Sequence, residues 1–237
     1  MKRREFITLL CSAAAAWPMA VRGQQADRVR RIGVLMGVTA SDPESKARIA
    51  AFRQGLADLG WKDGQNVHIE YRWSNGKIEL IRQYAKELVA LAPDIIVANG
   101  TPSVEALKEA TNSIPIVFAL ATDPVGLGDV KSLARPGGNI TGFSFIDPEL
   151  IGKWIGLLKD VTPNFTRAAL LFNPNTAPFY NNLMREIEAT RQLGAIELLP
   201  TPVGSTSEIE TAIKALAQKQ YSGLLIGPDP FNIVNIK

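Results

Sequence analysis

Pro93-Asp94-Ile95-Ile96-Val97-Ala98-Asn99-Gly100-Thr101-Pro102-Ser103 decides the fold. Pro93 interrupts whatever precedes it, and Ile95 to Ala98 then run apolar with no polar alternate. A strand apolar on both faces is covered on both faces, which is the mark of a parallel sheet. Asn99-Gly100 ends the run. Pro102 suits the opening of a helix, because its ring presets φ and its missing N–H is not needed in the first turn. The helix reads on to about Thr111. A buried strand passing directly into a helix is half of a β–α–β unit.

The same rhythm extends in both directions. Arg31 to Met36 is a short apolar strand, and Ile49, Phe52, Leu56 and Leu59 mark one face of a helix over 45–59, stopped by Gly60. Val67 to Trp73 alternates as an edge strand, and 77–91 is helical. Beyond the deciding stretch come a strand at Ile114 to Ala119, a glycine-rich segment from Gly126 to Gly138 and a strand at Ile140 to Phe145. A second run follows: a helix over 150–161, strands at Ala168 to Asn173, Ile196 to Pro200 and Gly223 to Gly227, and helices over 178–193 and 206–219. No helix is read after the last strand. Asp147-Pro148 punctuates the two runs, so two α/β lobes are expected, 28–146 and 147–237, each a doubly wound parallel sheet, the second incomplete.

The first 23 residues read as an address. Lys2-Arg3-Arg4 precedes an apolar run from Phe6 to Trp17, the pattern of a secretory signal peptide and too short to span a membrane. Arg3-Arg4-Glu5-Phe6-Ile7 fits twin-arginine export, with cleavage expected before Gln24 and the protein delivered to the periplasm. Leu10 before Cys11 argues against a lipoprotein signal. The net charge of +3 comes from this segment: without it 22 basic and 22 acidic residues remain, which excludes a nucleic-acid footprint.

With one cysteine, Cys11, and one histidine, His68, there is no disulfide framework and no zinc site of the usual kind. His68 sits in an alternating strand and reads as a solvent-side residue. No dinucleotide fingerprint follows the first strand, where Gly33-Val34-Leu35-Met36-Gly37 has the wrong spacing, and there is no phosphate loop or nucleophile elbow. No cofactor and no catalytic residue is expected; binding is the better reading.

Ligands of open α/β sheets bind beyond the carboxyl ends of the strands. That rule selects Thr39 and Ser41 after the first strand and Asn99, Gly100, Thr101 and Ser103 after the third. Thr101 can cap the helix that Pro102 opens, and the amides there, with the helix dipole, favour a carboxylate. Thr122 and Asp123 follow the fourth strand; Asp123 either accepts from a ligand ammonium or caps the next turn. In the second run Asn173, Asn175 and Thr176 follow a strand, and Phe179 and Tyr180 pack either on a ligand or in the core. Asp229 follows the last strand, where a buried carboxylate needs a cation or several donors.

Several stretches resemble a large bacterial family of ABC transporter substrate-binding proteins. They are Ala51-Phe52-Arg53-Gln54-Gly55-Leu56, Gly64 to Trp73, Ile114 to Phe118, Asp123 to Gly126 and Leu133-Ala134-Arg135-Pro136-Gly137-Gly138-Asn139-Ile140-Thr141-Gly142. The resemblance implies a type I periplasmic binding protein that captures an amino acid, often aromatic, or a related small carboxylate. It implies a monomer that hands its ligand to an ABC permease in the inner membrane, with Asp229 at the position that receives the ligand amine. It also implies a longer chain than 237 residues, hence the incomplete second lobe. A periplasmic sensor serving a membrane receptor is the alternative.

Overall fold

The computed structural model describes residues 28–144, 150–164, 166–180, 196–220 and 222–235. The stretch read as an export signal, the proposed lobe junction at Asp147-Pro148 and most of the helix read over 178–193 lie outside them. Two separate parallel sheets form. The first has the order β2-β1-β3-β4-β5, from β1 (Arg30–Met36), β2 (Val67–Trp73), β3 (Ile95–Asn99), β4 (Ile116–Ala121) and β5 (Ile140–Ser144). The second has the order β7-β6-β8, from β6 (Arg167–Phe172), β7 (Glu197–Pro202) and β8 (Ser222–Ile226). Every described strand pair is parallel.

The helices are α1 (Pro43–Asp58), α2 (Ile78–Ala90), α3 (Thr101–Ala110), α4 (Leu150–Val161), α5 (Thr206–Ala217) and α6 (Pro230–Asn235). Local chemistry sets their ends. The Asp42 carboxylate accepts from the Ser45 N–H at 2.7 Å, and Pro43 opens α1 behind it. Ser205 caps α5 by accepting from the Glu208 N–H at 3.3 Å, while the Glu208 carboxylate reaches back to the Gly204 N–H at 2.6 Å. Gly60, at φ 86°, takes the left-handed turn after α1.

Alternation along β1 divides the first sheet's core. Leu35 packs with Ile81, Leu88, Leu107 and Phe118 on the face covered by α2 and α3. Ile32, Val34 and Met36 pack on the other face with Phe52 and Leu56 of α1. Burying each such side chain contributes about 1.5–3 kcal/mol. The second sheet buries Leu170, Phe172 and Leu225 against Phe179, Tyr180 and Trp154. One element corrects the sequence reading: a short helix, α6, does follow β8, and its Ile233 packs into the first sheet's cluster around Val34. Six residues behind two prolines give too little periodicity to be read as a helix.

Candidate functional site

The carboxyl ends of β1, β3 and β4 face the loops after β6 and β8 across a cleft. Its free space is about 50 Å³, and on the same measure a water takes ~10–15 Å³, so in this arrangement it admits a few waters or one end of a small ligand. Six of the residues selected from sequence line it: Asn99, Gly100, Thr101, Thr122, Thr176 and Asp229.

Asp229 is 3% exposed. Its carboxylate accepts from the Thr176 hydroxyl at 3.0 Å, the Asn232 N–H at 2.9 Å and the Asn173 N–H at 3.3 Å. Burial pushes its pKa above the usual carboxylate range, opposed by these donors and by the Phe231 N–H. No cation pairs with it among the described residues. Asn232, which no motif announced, anchors this loop: its side-chain amide donates to the carbonyls of Leu171 at 3.2 Å and Gly227 at 2.7 Å, the ends of two strands.

Thr101 is not the cap of α3. The cap position falls to Gly100, whose φ of 84° suits glycine, and Thr101 is the first helical residue. Its hydroxyl accepts from the Thr122 N–H at 3.0 Å, tying the start of α3 to the end of β4. The expected free amides are also fewer. Pro102 has none, and the N–H groups of Ser103 and Val104 both point at the Gly100 carbonyl, at 3.2 and 3.3 Å.

The other selected residues do not line the cleft. Ser103 is fully buried and its hydroxyl has no partner among the described residues. Asp123 accepts from the Gly126 N–H at 2.9 Å in its own turn. Thr39 and Ser41 bond to each other at 2.6 Å, and Asn175 donates its N–H to the Asn173 side chain at 2.8 Å. Tyr180 belongs to the core: it is 1% exposed, its ring centroid lies 4.3 Å from that of Phe179, and burial, then the Asp229 charge, raises its hydroxyl pKa. Phe179 is the aromatic that reaches the cleft.

The sequence reading missed Val38, Arg48, Leu120, Pro228, Pro230 and Ile233 as cleft residues. Leu120 is unusual: a non-glycine residue at φ 62°, inside a register shift between Ala119 and Ala121 in the β4–β5 pairing. A leucine held there costs about 1–2 kcal/mol, which the surrounding sheet must offset. Apolar strands carry no forewarning of a bulge, and Arg48 falls a full turn into a helix rather than on a strand-end loop.

Residues 31–234 match the ABC transporter substrate binding protein family. A tyrosine-binding protein of Clostridioides difficile is 32% identical over 171 residues, 71% of this chain, and the chain spans about half of that relative, 48%. An ABC domain from Streptococcus pneumonia in complex with L-Trp is 28% identical, with a TM-score of 0.73 over 87% of this chain and 68% of that one. A substrate binding protein with adhesive properties from Clostridium difficile, in its ligand-free, open structure, is 26% identical over similar shares, 87% and 67%, with a TM-score of 0.56. With two parallel sheets, the ends of their strands turned toward one cleft and a family match across nearly every described residue, the chain belongs to the ABC transporter substrate binding proteins.

Proposed function

We propose that this protein is the solute-binding component of an ABC-type importer and that it captures an aromatic amino acid between its two sheets without altering it. The observation that carries the reading is Asp229, a buried carboxylate on the cleft wall whose described partners are all neutral donors. An ammonium supplied by the ligand gives that charge the counter-ion it lacks. Val38, Leu120, Phe179 and Ile233 offer the apolar surface that a ring needs. A tyrosine-binding relative and a relative in complex with L-Trp support the choice of ligand class. The two lobes, 28–146 and 147–237, close on the ligand as a monomer. Residues 1–23 direct twin-arginine export to the periplasm, where an inner-membrane ABC permease receives the loaded form.

Calorimetry with L-tyrosine and L-tryptophan tests this. Asp229→Asn is expected to weaken binding by roughly 10- to 150-fold, the worth of a hydrogen bond to a charged group. The wild-type affinity is also expected to fall with falling pH. Because burial raises the Asp229 pKa, protonation removes the ammonium's partner at a higher pH than for an exposed aspartate. If neither amino acid binds the wild type, or if Asp229→Asn binds as tightly as the wild type, the reading is wrong.

A further inference from the structure

Building on the amino-acid reading, we infer that Arg48 is the residue that selects for a free carboxylate on the ligand, and that Glu44 holds its place when the cleft is empty. Among the described residues that line the cleft, Arg48 is the one cation and Asp229 the one anion. They stand on opposite walls, Arg48 on α1 beside the first sheet and Asp229 after β8 of the second. A cleft with one charge of each sign on facing walls is matched to a zwitterion. A simple amine would leave the guanidinium unanswered, and a simple acid would leave the carboxylate so.

The start of α3 is poorly equipped to take the carboxylate alone. Pro102 removes one donor and two amides are already turned to the Gly100 carbonyl, which leaves the Thr101 hydroxyl as the described side-chain donor there. A guanidinium supplies what is lacking: paired donors in a planar fork that fits a carboxylate.

The groups around Arg48 leave it available. Its described partner is Glu44, one turn back on α1, whose side chain is 67% exposed. An exposed pair of this kind contributes little and exchanges readily. Asp42 is also near; one of its carboxylate oxygens accepts from the Ser45 N–H and hydroxyl, both at 2.7 Å, and no described hydrogen bond or ion pair joins it to Arg48. The Glu44 carboxylate thus stands in for the ligand carboxylate and is displaced by it, while α1, capped by Asp42, keeps the guanidinium at the cleft wall.

Calorimetry of L-tyrosine and L-tryptophan, each against its carboxamide, tests the assignment on the full chain. The wild type is expected to prefer the acid by roughly 10- to 150-fold. Arg48→Gln is expected to bind acid and amide within about threefold of each other, through loss of acid affinity alone, and Arg48→Lys to keep part of the preference. Glu44→Gln, which removes the competing carboxylate, is expected to raise affinity for the acid and leave the amide unchanged. An undiminished preference in Arg48→Gln, or weaker acid binding in Glu44→Gln, overturns the role of Arg48 and leaves the amino-acid reading standing. A wild type that binds neither acid nor amide overturns that reading as well.

Discussion

Leu120 holds a backbone conformation that leucine ordinarily avoids, at the point where β4 loses register with β5 and the chain meets the cleft. Two demands meet at this residue, and they can be separated. Glycine would satisfy the backbone and lose the side chain; alanine would lose the side chain and keep the strain. Leu120→Gly is therefore expected to unfold at the same or a higher temperature than the wild type while its affinity for an aromatic amino acid falls about tenfold, the value of one partly buried leucine contact. Leu120→Ala is expected to lose both stability and affinity. Thermal melts and calorimetry on the pair decide the matter; full affinity in the glycine variant would reduce Leu120 to a by-product of the bulge. The contrast with Tyr180 is instructive. Its neighbour Phe179 reaches the cleft while Tyr180 fills the core, and adjacent aromatics at a helix start cannot be told apart without knowing how that helix is rotated.

At the scale of elements the described strands and helices are legible in the sequence, α6 excepted, because the signals there are periodic and repeated. β2 runs over Val67–Trp73 as its alternation requires, on the edge of the sheet, and His68 on it is half exposed beside Glu70. The candidate site was legible by half. Strand-end loops are found by topology alone, but Arg48 and Ile233 reach the cleft from helices, and only packing reveals which helical face turns inward. Glycines inside strands are the other silent feature. At Gly142 in β5, a Cβ would lie 2.1 Å from the Phe118 carbonyl oxygen on β4, a backbone atom that cannot swing away. Gly142→Ala is accordingly expected to cost about 1–3 kcal/mol in denaturant unfolding, as for an overpacked core. Hydrogen exchange should speed up first in Ile140–Ser144. A loss below ~0.5 kcal/mol would mean that the β4–β5 pairing can part without penalty.

At the scale of the molecule, the segment that carries Asp229 also touches the far sheet. Pro230 rests on three glycines from three loops of the first sheet: an added Cβ at Gly37, Gly76 or Gly100 would meet it at 3.1, 3.3 or 3.8 Å. Gly76 and Gly100 have φ of 73° and 84°, so their backbone alone calls for glycine, whereas Gly37 is glycine for space. Gly37→Ala is thus a clean steric probe. It is expected to weaken ligand binding several-fold with little change in thermal stability, and Pro230→Ala in the same chain to restore part of the loss, because the proline Cγ is the atom at 3.1 Å and its Cβ lies at 3.5 Å. Independent, additive effects in that double-mutant cycle would show that the two surfaces do not press on each other. If they do, the joint works as the fixed stop of a caliper. Bare backbone against a rigid ring has almost no give, so the jaws always halt at one setting, and the ligand's bulk, rather than any yielding of the protein, decides whether they reach it.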